Sequence, residues 1–215
     1  EKKCDIFINC STNSKKYFAE KFPEKDFVET TMNVLNSINN FNFKKYILIS
    51  SADVYGTTNI RNSSENIKLN RLNHDNFYAL NKIIAEQIVL NFGKPYIIFR
   101  LGGLIGKNLK KNFIFDLIKE KPLRFKINSK FEFINTDDVA NIIFNIINQK
   151  KHFNQIFNLS GDGQMSIKEI VDLFSKNKKK KIIFQKNKKL INYKINTNKI
   201  ESIVTLPKTY NTIKT

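Results

Sequence analysis

The chain has little of several residue types that mark specialised protein classes. It contains no tryptophan, two cysteines, four prolines and seven glycines among 215 residues. This composition excludes collagen-like and low-complexity chains, and two cysteines are too few for a disulfide-stapled fold. Cys4 and Cys10 lie in one short extended segment, which separates them by about 20 Å, too far for a disulfide. We therefore expect free thiols in a reducing compartment.

A long apolar run is also absent. The longest candidate, "VANIIFNII", is interrupted by asparagines and falls short of the ~20 apolar residues that cross a bilayer. The first residues, "EKKCDIFINC", are too short and too acidic for a signal peptide. These features predict no membrane partner and a cytoplasmic location.

Acidic residues are scarce beside basic ones. The chain has 19 Asp and Glu against 37 Lys and Arg, a formal net charge of +18, and clustered cations bind nucleic acid by releasing counterions. Arginine, which makes the bidentate phosphate and base contacts, is rare. The lysine excess accompanies many asparagines and isoleucines, which indicates a compositional bias. We predict no nucleic-acid partner. Nucleic-acid binding is the weakest of three functional hypotheses, and the other two, an enzyme and a noncatalytic binding protein, are given below.

Apolar runs alternate along the chain with segments of helical periodicity. The predicted strands are 5–9, 45–50, 96–101, 130–135 and 155–160, and the predicted helices are 26–40, 78–92, 112–120, 136–149 and 167–174. Ser166 and Glu169 have the spacing of a capping box at the start of the last helix. Strands separated by helices, without hairpin signals, predict a parallel α/β sheet.

Hydroxyl groups stand where the strand 45–50 ends. Ser50 and Ser51 follow its apolar body, and the carboxyl ends of parallel strands line the ligand crevice. The structural alternative is that these serines cap the next turn. Tyr78 and Lys82 have i, i+4 spacing on one helix face. An ammonium near a phenol lowers the phenol pKa from ~10, which suits proton transfer, although a lysine-rich helix also produces this spacing by chance.

Five segments, taken in order, resemble one family. They are "SSADVYG", "YALNK", "PYIIFRLGGLIG", "FEFINTDDVA" and "IFNLSGDGQMSIKEI", and they resemble the extended short-chain dehydrogenase/reductase family, also called the NAD-dependent epimerase/dehydratase family. The resemblance implies a Rossmann-like doubly wound parallel sheet and hydride transfer with NAD or NADP. It also implies a catalytic triad of Ser51, Tyr78 and Lys82, with Asp53 at a position that several members use in catalysis.

The resemblance also implies where ligands bind. The positions expected along the cofactor are Cys10, Ser11, Thr12, Ser50, Tyr78, Lys82 and Leu101. The positions expected at the substrate, a small molecule of the nucleotide-sugar class, are Asp53, Gly103 and Lys130. The cofactor domain would comprise residues 1–106 and 131–160, and a small mixed C-terminal substrate lobe would comprise 107–130 and 161–215. A homodimer is a possible assembly.

Departures from the family pattern limit these expectations. No strand, glycine-rich turn and helix for the cofactor pyrophosphate precedes Asp5, so the sheet should miss its first strands. The chain would then be a fragment of a longer protein or a remnant. A noncatalytic Rossmann-like binding protein that has lost the cofactor phosphate site is the second functional hypothesis. Ala52 and Asp53 stand where dehydratases of the family carry an Asp-Glu pair, which favours an epimerase or reductase.

Two further groups of residues invite a metal hypothesis. Asp137 and Asp138 open the predicted helix 136–149, where caps are the simpler interpretation. His74 and His152 are isolated in predicted loops, and two lone histidines do not make a metal site. We therefore expect no metal.

Overall fold

The structure is a computed structural model. It describes residues 3–56, 63–69, 76–93, 95–175 and 182–214, so His74 lies outside the described residues. In these ranges no helix combines the length and the apolar character needed to span a membrane.

Helices separate the strands of the main sheet along the chain, as the sequence pattern predicts. The strands are β1 (Lys3–Asn9), β2 (Asn42–Ser51), β3 (Tyr96–Leu101), β4 (Gly103–Ile105), β5 (Leu123–Phe125), β6 (Lys130–Phe131), β7 (Phe133–Asn135), β8 (Gln155–Leu159), β9 (Met165–Ser166) and β10 (Phe184–Lys189). The helices are α1 (Lys16–Lys21), α2 (Pro23–Phe27), α3 (Asn33–Asn40), α4 (Phe77–Phe92), α5 (Phe113–Ile118), α6 (Thr136–Ile147), α7 (Ile167–Ser175), α8 (Asn198–Glu201) and α9 (Thr209–Lys214).

The main sheet has four parallel strands in the order β1-β2-β3-β8. The inner strand β3 is buried from Ile97 to Leu101, as expected for a strand covered on both faces. Within the described residues β1 pairs with β2 alone and forms one edge of the sheet. The predicted parallel α/β fold is confirmed.

Helices cover both faces of the sheet. Because side chains alternate along a strand, Ile47 packs in a cluster with Ile143 and Ile146 of α6, whereas Leu48 packs in a cluster with Val34 of α3 and Val89 of α4. The sheet is therefore doubly wound, with α6 on one side and α3 and α4 on the other.

A second hydrophobic cluster lies outside the main sheet. It joins α5, β5, β7, β9 and α7 through an aromatic group centred on Phe113, whose ring centroid lies 6.5 Å from that of Phe125, 4.7 Å from Phe131 and 5.4 Å from Phe133. The small two-stranded sheets β10-β5, β4-β7 and β6-β9 occur here. The domain boundaries given above stay a prediction.

Several predicted elements differ in detail. The helix expected over 26–40 is a helical run interrupted by a π-helical turn, Val28–Met32. The strand expected over 130–135 breaks at Glu132, because β6 pairs antiparallel with β9 while β7 pairs parallel with β4. The capping box is confirmed, since Ser166 N–H donates to Glu169 Oε2 at 2.7 Å and Glu169 N–H donates to Ser166 Oγ at 3.2 Å.

The cap of α6 is a different residue from the one expected. Asn135 occupies the N-cap position, and its Oδ1 accepts a hydrogen bond from Asp137 N–H at 2.9 Å. Asp137 and Asp138 lie in the first helical turn, where a carboxylate interacts favourably with the helix dipole. Their interpretation as caps is therefore wrong.

Candidate active site

The carboxyl end of β2 and the first turns of α4 form the centre of the site. Asn76 starts α4 by accepting a hydrogen bond from Ala79 N–H at 2.8 Å, and this start places Tyr78 and Lys82 one turn apart on the buried side of the helix. At the end of β2, Ser51 Oγ accepts from Asp53 N–H at 3.2 Å. This serine is both the last strand residue and the cap of the following 3₁₀ turn.

The structure brings Ser51, Asp53 and Tyr78 together. Burial raises the pKa of Tyr78, and the negative charge of Asp53 acts in the same direction. A hydrogen bond with the Ser51 side chain opposes both effects by stabilising the phenolate. The expected lowering of the Tyr78 pKa is wrong for this structure, because loss of hydration and the charge of Asp53 outweigh the hydrogen bond with Ser51.

In the part of the chain that the structure describes, Lys82 forms no hydrogen bond with the Tyr78 hydroxyl. Its Nζ lies 5.6 Å from the centroid of the Tyr78 ring and donates a hydrogen bond to Thr12 Oγ1. The side chain is only 4% exposed. Burial lowers the pKa of Lys82 to about 8, with Asp26 the largest influence in favour of the charged form. A lysine in this range changes protonation near neutral pH.

Asp53 carries a counter-cation. Lys16 of α1 places its Nζ 2.7 Å from Asp53 Oδ1, and the Asp53 side chain is 14% exposed. The helix α1 was not predicted from the sequence, so this pairing was not expected. The Lys16–Asp53 ion pair therefore lies beside Tyr78.

The positions expected along the cofactor lie in different environments. Cys10 and Leu101 line an open apolar groove between the sheet and α6, together with Ile8, Ile49 and Val139. Apolar walls of this kind are typical of sites that hold an aromatic ring.

Ser11 and Thr12, which follow β1, have polar partners. Ser11 Oγ donates to Asn9 Oδ1 at 3.0 Å, and Thr12 accepts from Lys82. The carboxyl end of β1 therefore offers an apolar side at Cys10 and a polar side at Thr12.

Ser50 points away from the crevice. Its Oγ donates to Glu86 Oε1 at 2.5 Å, and Glu86 is fully buried. Arg100 completes this network with two hydrogen bonds from Nε to Glu86 at 3.1 Å each and one from Nη2 at 2.7 Å. The Ser50 hydroxyl is thus used in a buried ion pair beneath the site, and its role at the cofactor stays a prediction.

Of the three positions expected at the substrate, Asp53 lies beside Ser51 and Tyr78, whereas Gly103 and Lys130 are on the strands β4 and β6. Gly103 begins β4, and a Cβ on it would come within 2.5 Å of the Glu132 carbonyl oxygen. Lys130 is exposed on β6, opposite Ser166 of β9. In the described part of the chain, neither residue makes a hydrogen bond or ion pair with a triad side chain.

Sequence reasoning missed several buried polar residues near the site. Asp26, Asn13 and Asn81 form a hydrogen-bonded group next to Lys82, and Glu132 is buried with a pKa raised by burial to about 7. Asn81 lies inside the "YALNK" motif, but nothing in the motif indicates its partner. Among the described residues, no group of three His, Cys, Asp or Glu side chains is arranged to hold a metal ion.

Known proteins resemble this chain in sequence and in fold. The chain is 27% identical over 189 residues to the dTDP-D-glucose 4,6-dehydratase of Dictyostelium discoideum, covering 77% of this chain and 43% of the relative. It therefore spans less than half the length of that curated relative.

Two solved structures illustrate the likeness in fold. A UDP-galactose 4-epimerase superimposes with a TM-score of 0.79 at 14% identity, covering 98% of this chain and 75% of that chain. A mutant UDP-glucuronic acid 4-epimerase from Bacillus cereus, solved with UDP-4-deoxy-4-fluoro-glucuronic acid and NAD, superimposes with a TM-score of 0.74 at 17% identity, covering 98% of this chain and 72% of that one.

The family itself follows from the sequence. The family model described as "NAD dependent epimerase/dehydratase family" matches residues 1–160, which include β1, β2, α4 and the residues of the candidate site. The match covers well over half of the chain and agrees with the parallel, doubly wound sheet. The chain belongs to the NAD-dependent epimerase/dehydratase family.

Proposed function

We propose that this chain carries the catalytic part of an NAD(P)-dependent sugar-nucleotide epimerase or reductase. The observation that supports the proposal is that Tyr78 lies beside Ser51 at the carboxyl end of β2, with Lys82 Nζ 5.6 Å from the centroid of the Tyr78 ring. Tyr78 and Lys82 are both buried. A hydroxyl, a phenol and an ammonium at one crevice are the groups that a reversible proton transfer at a carbinol or carbonyl needs.

The described residues fit one end of a nicotinamide cofactor. NAD(P), when bound, supplies the hydride acceptor or donor. The apolar groove beside Cys10 and Leu101 suits an aromatic ring, and Thr12 and Lys82 supply polar groups for a ribose hydroxyl. We assign only these nicotinamide and ribose contacts to the described residues.

The triad residues take distinct roles in the proposal. Tyr78 is protonated at neutral pH because its pKa is raised, so its hydroxyl donates a proton to a substrate oxygen. Ser51 donates a hydrogen bond to the same oxygen and orients it. Lys82 binds the ribose, and its positive charge stabilises the Tyr78 phenolate left after the proton has gone.

The substrate is proposed to be a nucleotide sugar. The Asp53–Lys16 ion pair at the crevice offers an acceptor and a cation, with Gly103 and Lys130 as the further candidate substrate positions. The curated relative is a dehydratase. Ala52, which is fully buried here, supplies no acid beside Ser51, so we propose epimerisation or reduction without loss of water.

The test is an assay of the chain with nucleotide-linked hexoses and their 4-keto derivatives, at millimolar NAD⁺ or NADPH, with products followed by mass. Conversion that falls in Tyr78→Phe supports the proposal, because the variant keeps the ring packed and removes only the hydroxyl. Conversion that Tyr78→Phe leaves unchanged would contradict the assigned mechanism. No conversion together with tight binding of a nucleotide sugar would favour the noncatalytic binding protein.

A further inference from the structure

Asp26 is a buried carboxylate that the proposed mechanism does not use. It lies in α2, is 0% exposed and accepts three hydrogen bonds from uncharged side chains. Asn13 Nδ2 donates to its Oδ1 at 2.6 Å, Thr30 Oγ1 donates to the same oxygen at 3.3 Å, and Asn81 Nδ2 donates to its Oδ2 at 2.6 Å. A carboxylate buried at this depth is costly unless it is hydrogen-bonded and balanced by a cation.

These bonds connect the two segments that hold Lys82. Asn13 follows Thr12, which accepts the hydrogen bond of the Lys82 ammonium, and Asn13 also fixes its own loop by accepting from Lys15 N–H at 2.8 Å. Asn81 precedes Lys82 on α4. Asp26 therefore links the loop after β1 to the helix that carries the lysine.

Of the three carboxylates that act on Lys82, two are paired with other cations. The groups that act on the lysine are Asp26, Glu86 and Asp53, which favour its charged form, and Lys111, which opposes it. Glu86 is engaged by Arg100, and Asp53 is engaged by Lys16. Within the described residues Asp26 has no ion pair. It is fully buried, as is Glu86.

We propose that Asp26 is a positioning residue for Lys82, which keeps the buried side chain as an ammonium and, through Asn13 and Asn81, fixes it beside Thr12. The role of Lys82 in catalysis rests on the proposed function, whereas the link between Asp26 and Lys82 can be measured without cofactor or substrate.

The direct test is the titration of Lys82 in the folded chain by NMR, with lysine labelled with ¹⁵N at the ζ position. The Lys82 resonance is identified by its absence from Lys82→Arg. In the unmodified chain its midpoint should lie near pH 8. In Asp26→Asn, which keeps the shape and removes the charge, the midpoint should fall by about one pH unit, the lower end of the usual effect of a close opposite charge.

The matched control is Asp172→Asn, which removes an exposed carboxylate on α7 and should leave the midpoint unchanged. An Asp26→Asn protein that is folded and keeps the Lys82 midpoint would overturn the proposal, since a purely structural Asp26 would not move it. This outcome is independent of whether the chain turns over any nucleotide sugar.

A second measurement covers the case in which Asp26→Asn does not fold. If the two charges balance each other, the double variant Asp26→Asn/Lys82→Met should melt at a higher temperature than Lys82→Met, because it no longer leaves one buried charge alone. A double variant that melts below Lys82→Met would show that the residues act independently and would refute the proposal.

Discussion

Replacing Glu132 by glutamine should make the protein more stable at neutral and alkaline pH and leave its stability almost unchanged near pH 4.5. Glu132 is 4% exposed, and its Oε2 accepts a hydrogen bond from Ile195 N–H at 3.1 Å. Burial raises the pKa of its carboxyl from 4.5 to about 7, and the Ile195 hydrogen bond opposes this effect. Glutamine retains an oxygen for Ile195 and never ionises.

The sign and size follow from proton linkage. A carboxyl whose pKa is higher in the folded state binds more protons folded than unfolded between pH 4.5 and about 7, so the free energy of unfolding falls as pH rises through that window and stays flat above it. The difference between the two pKa values corresponds to roughly 3 kcal/mol. This difference already includes the hydrogen bond from Ile195 to the carboxylate, which lowers the pKa. We therefore expect a gain of about 3 kcal/mol at pH 8, or roughly 6–12 °C in melting temperature for a chain of this size.

The assay is urea unfolding of both proteins at pH 4.5, 6, 7 and 8, followed by far-UV circular dichroism. The difference between the two curves isolates Glu132, because all other titrating groups are shared. Glu169→Gln is the control with the opposite sign: hydrogen bonds from Ser166 lower the pKa of Glu169, so its stabilisation is present at neutral pH and lost on acidification. A Glu132→Gln difference that is constant with pH, or a variant less stable than the parent at pH 8, would refute the reasoning.

Three further predictions concern ligands and catalysis. Tyr78→Phe should lower turnover by ~10² to 10⁴ with cofactor affinity nearly unchanged, measured by steady-state kinetics and fluorescence titration; equal losses in both would contradict its role as proton donor. The 215-residue chain should bind NAD(H) and NADP(H) more weakly than micromolar by calorimetry, because it has no glycine-rich turn for the pyrophosphate; micromolar binding would show that another element holds the phosphates. Binding to duplex DNA at ~150 mM salt should be weak and indifferent to sequence in a gel-shift assay, because lysine charge without base contacts gives only salt-sensitive affinity; a sequence-selective complex at that salt would favour a nucleic-acid function.

The fold could be predicted because its main strands and helices are marked by patterns among residues that are neighbours in the sequence. The apolar runs that became β1, β2, β3 and β8 are visible in the sequence, and strands separated by helices leave few alternatives to a parallel sheet. The short elements were missed for the same reason: β4 and β9 are three and two residues long, and they exist through pairing with β7 and β6. No local pattern marks such a pair.

Candidate residues could be identified from the sequence, but their electrostatics could not. The i, i+4 spacing placed Tyr78 and Lys82 on one helix face, and both are on it. The spacing gave no information on burial, which raises the Tyr78 pKa instead of lowering it. It also gave none on Thr12, which lies 70 residues from Lys82 in the chain and accepts its hydrogen bond.

By itself, the sequence determined the fold class, which follows from periodicity, and the family and its site residues, which follow from the order of the motifs. Only the tertiary structure decided which charges face each other. Asp26 meets Asn81 across 55 positions of sequence, and Glu132 meets Ile195 across 63, because the docking of α2 on α4 and of the segment before α8 on the crevice places them there. Loss of hydration at such contacts depends on every atom that surrounds the group, so it appears only when the whole chain has packed.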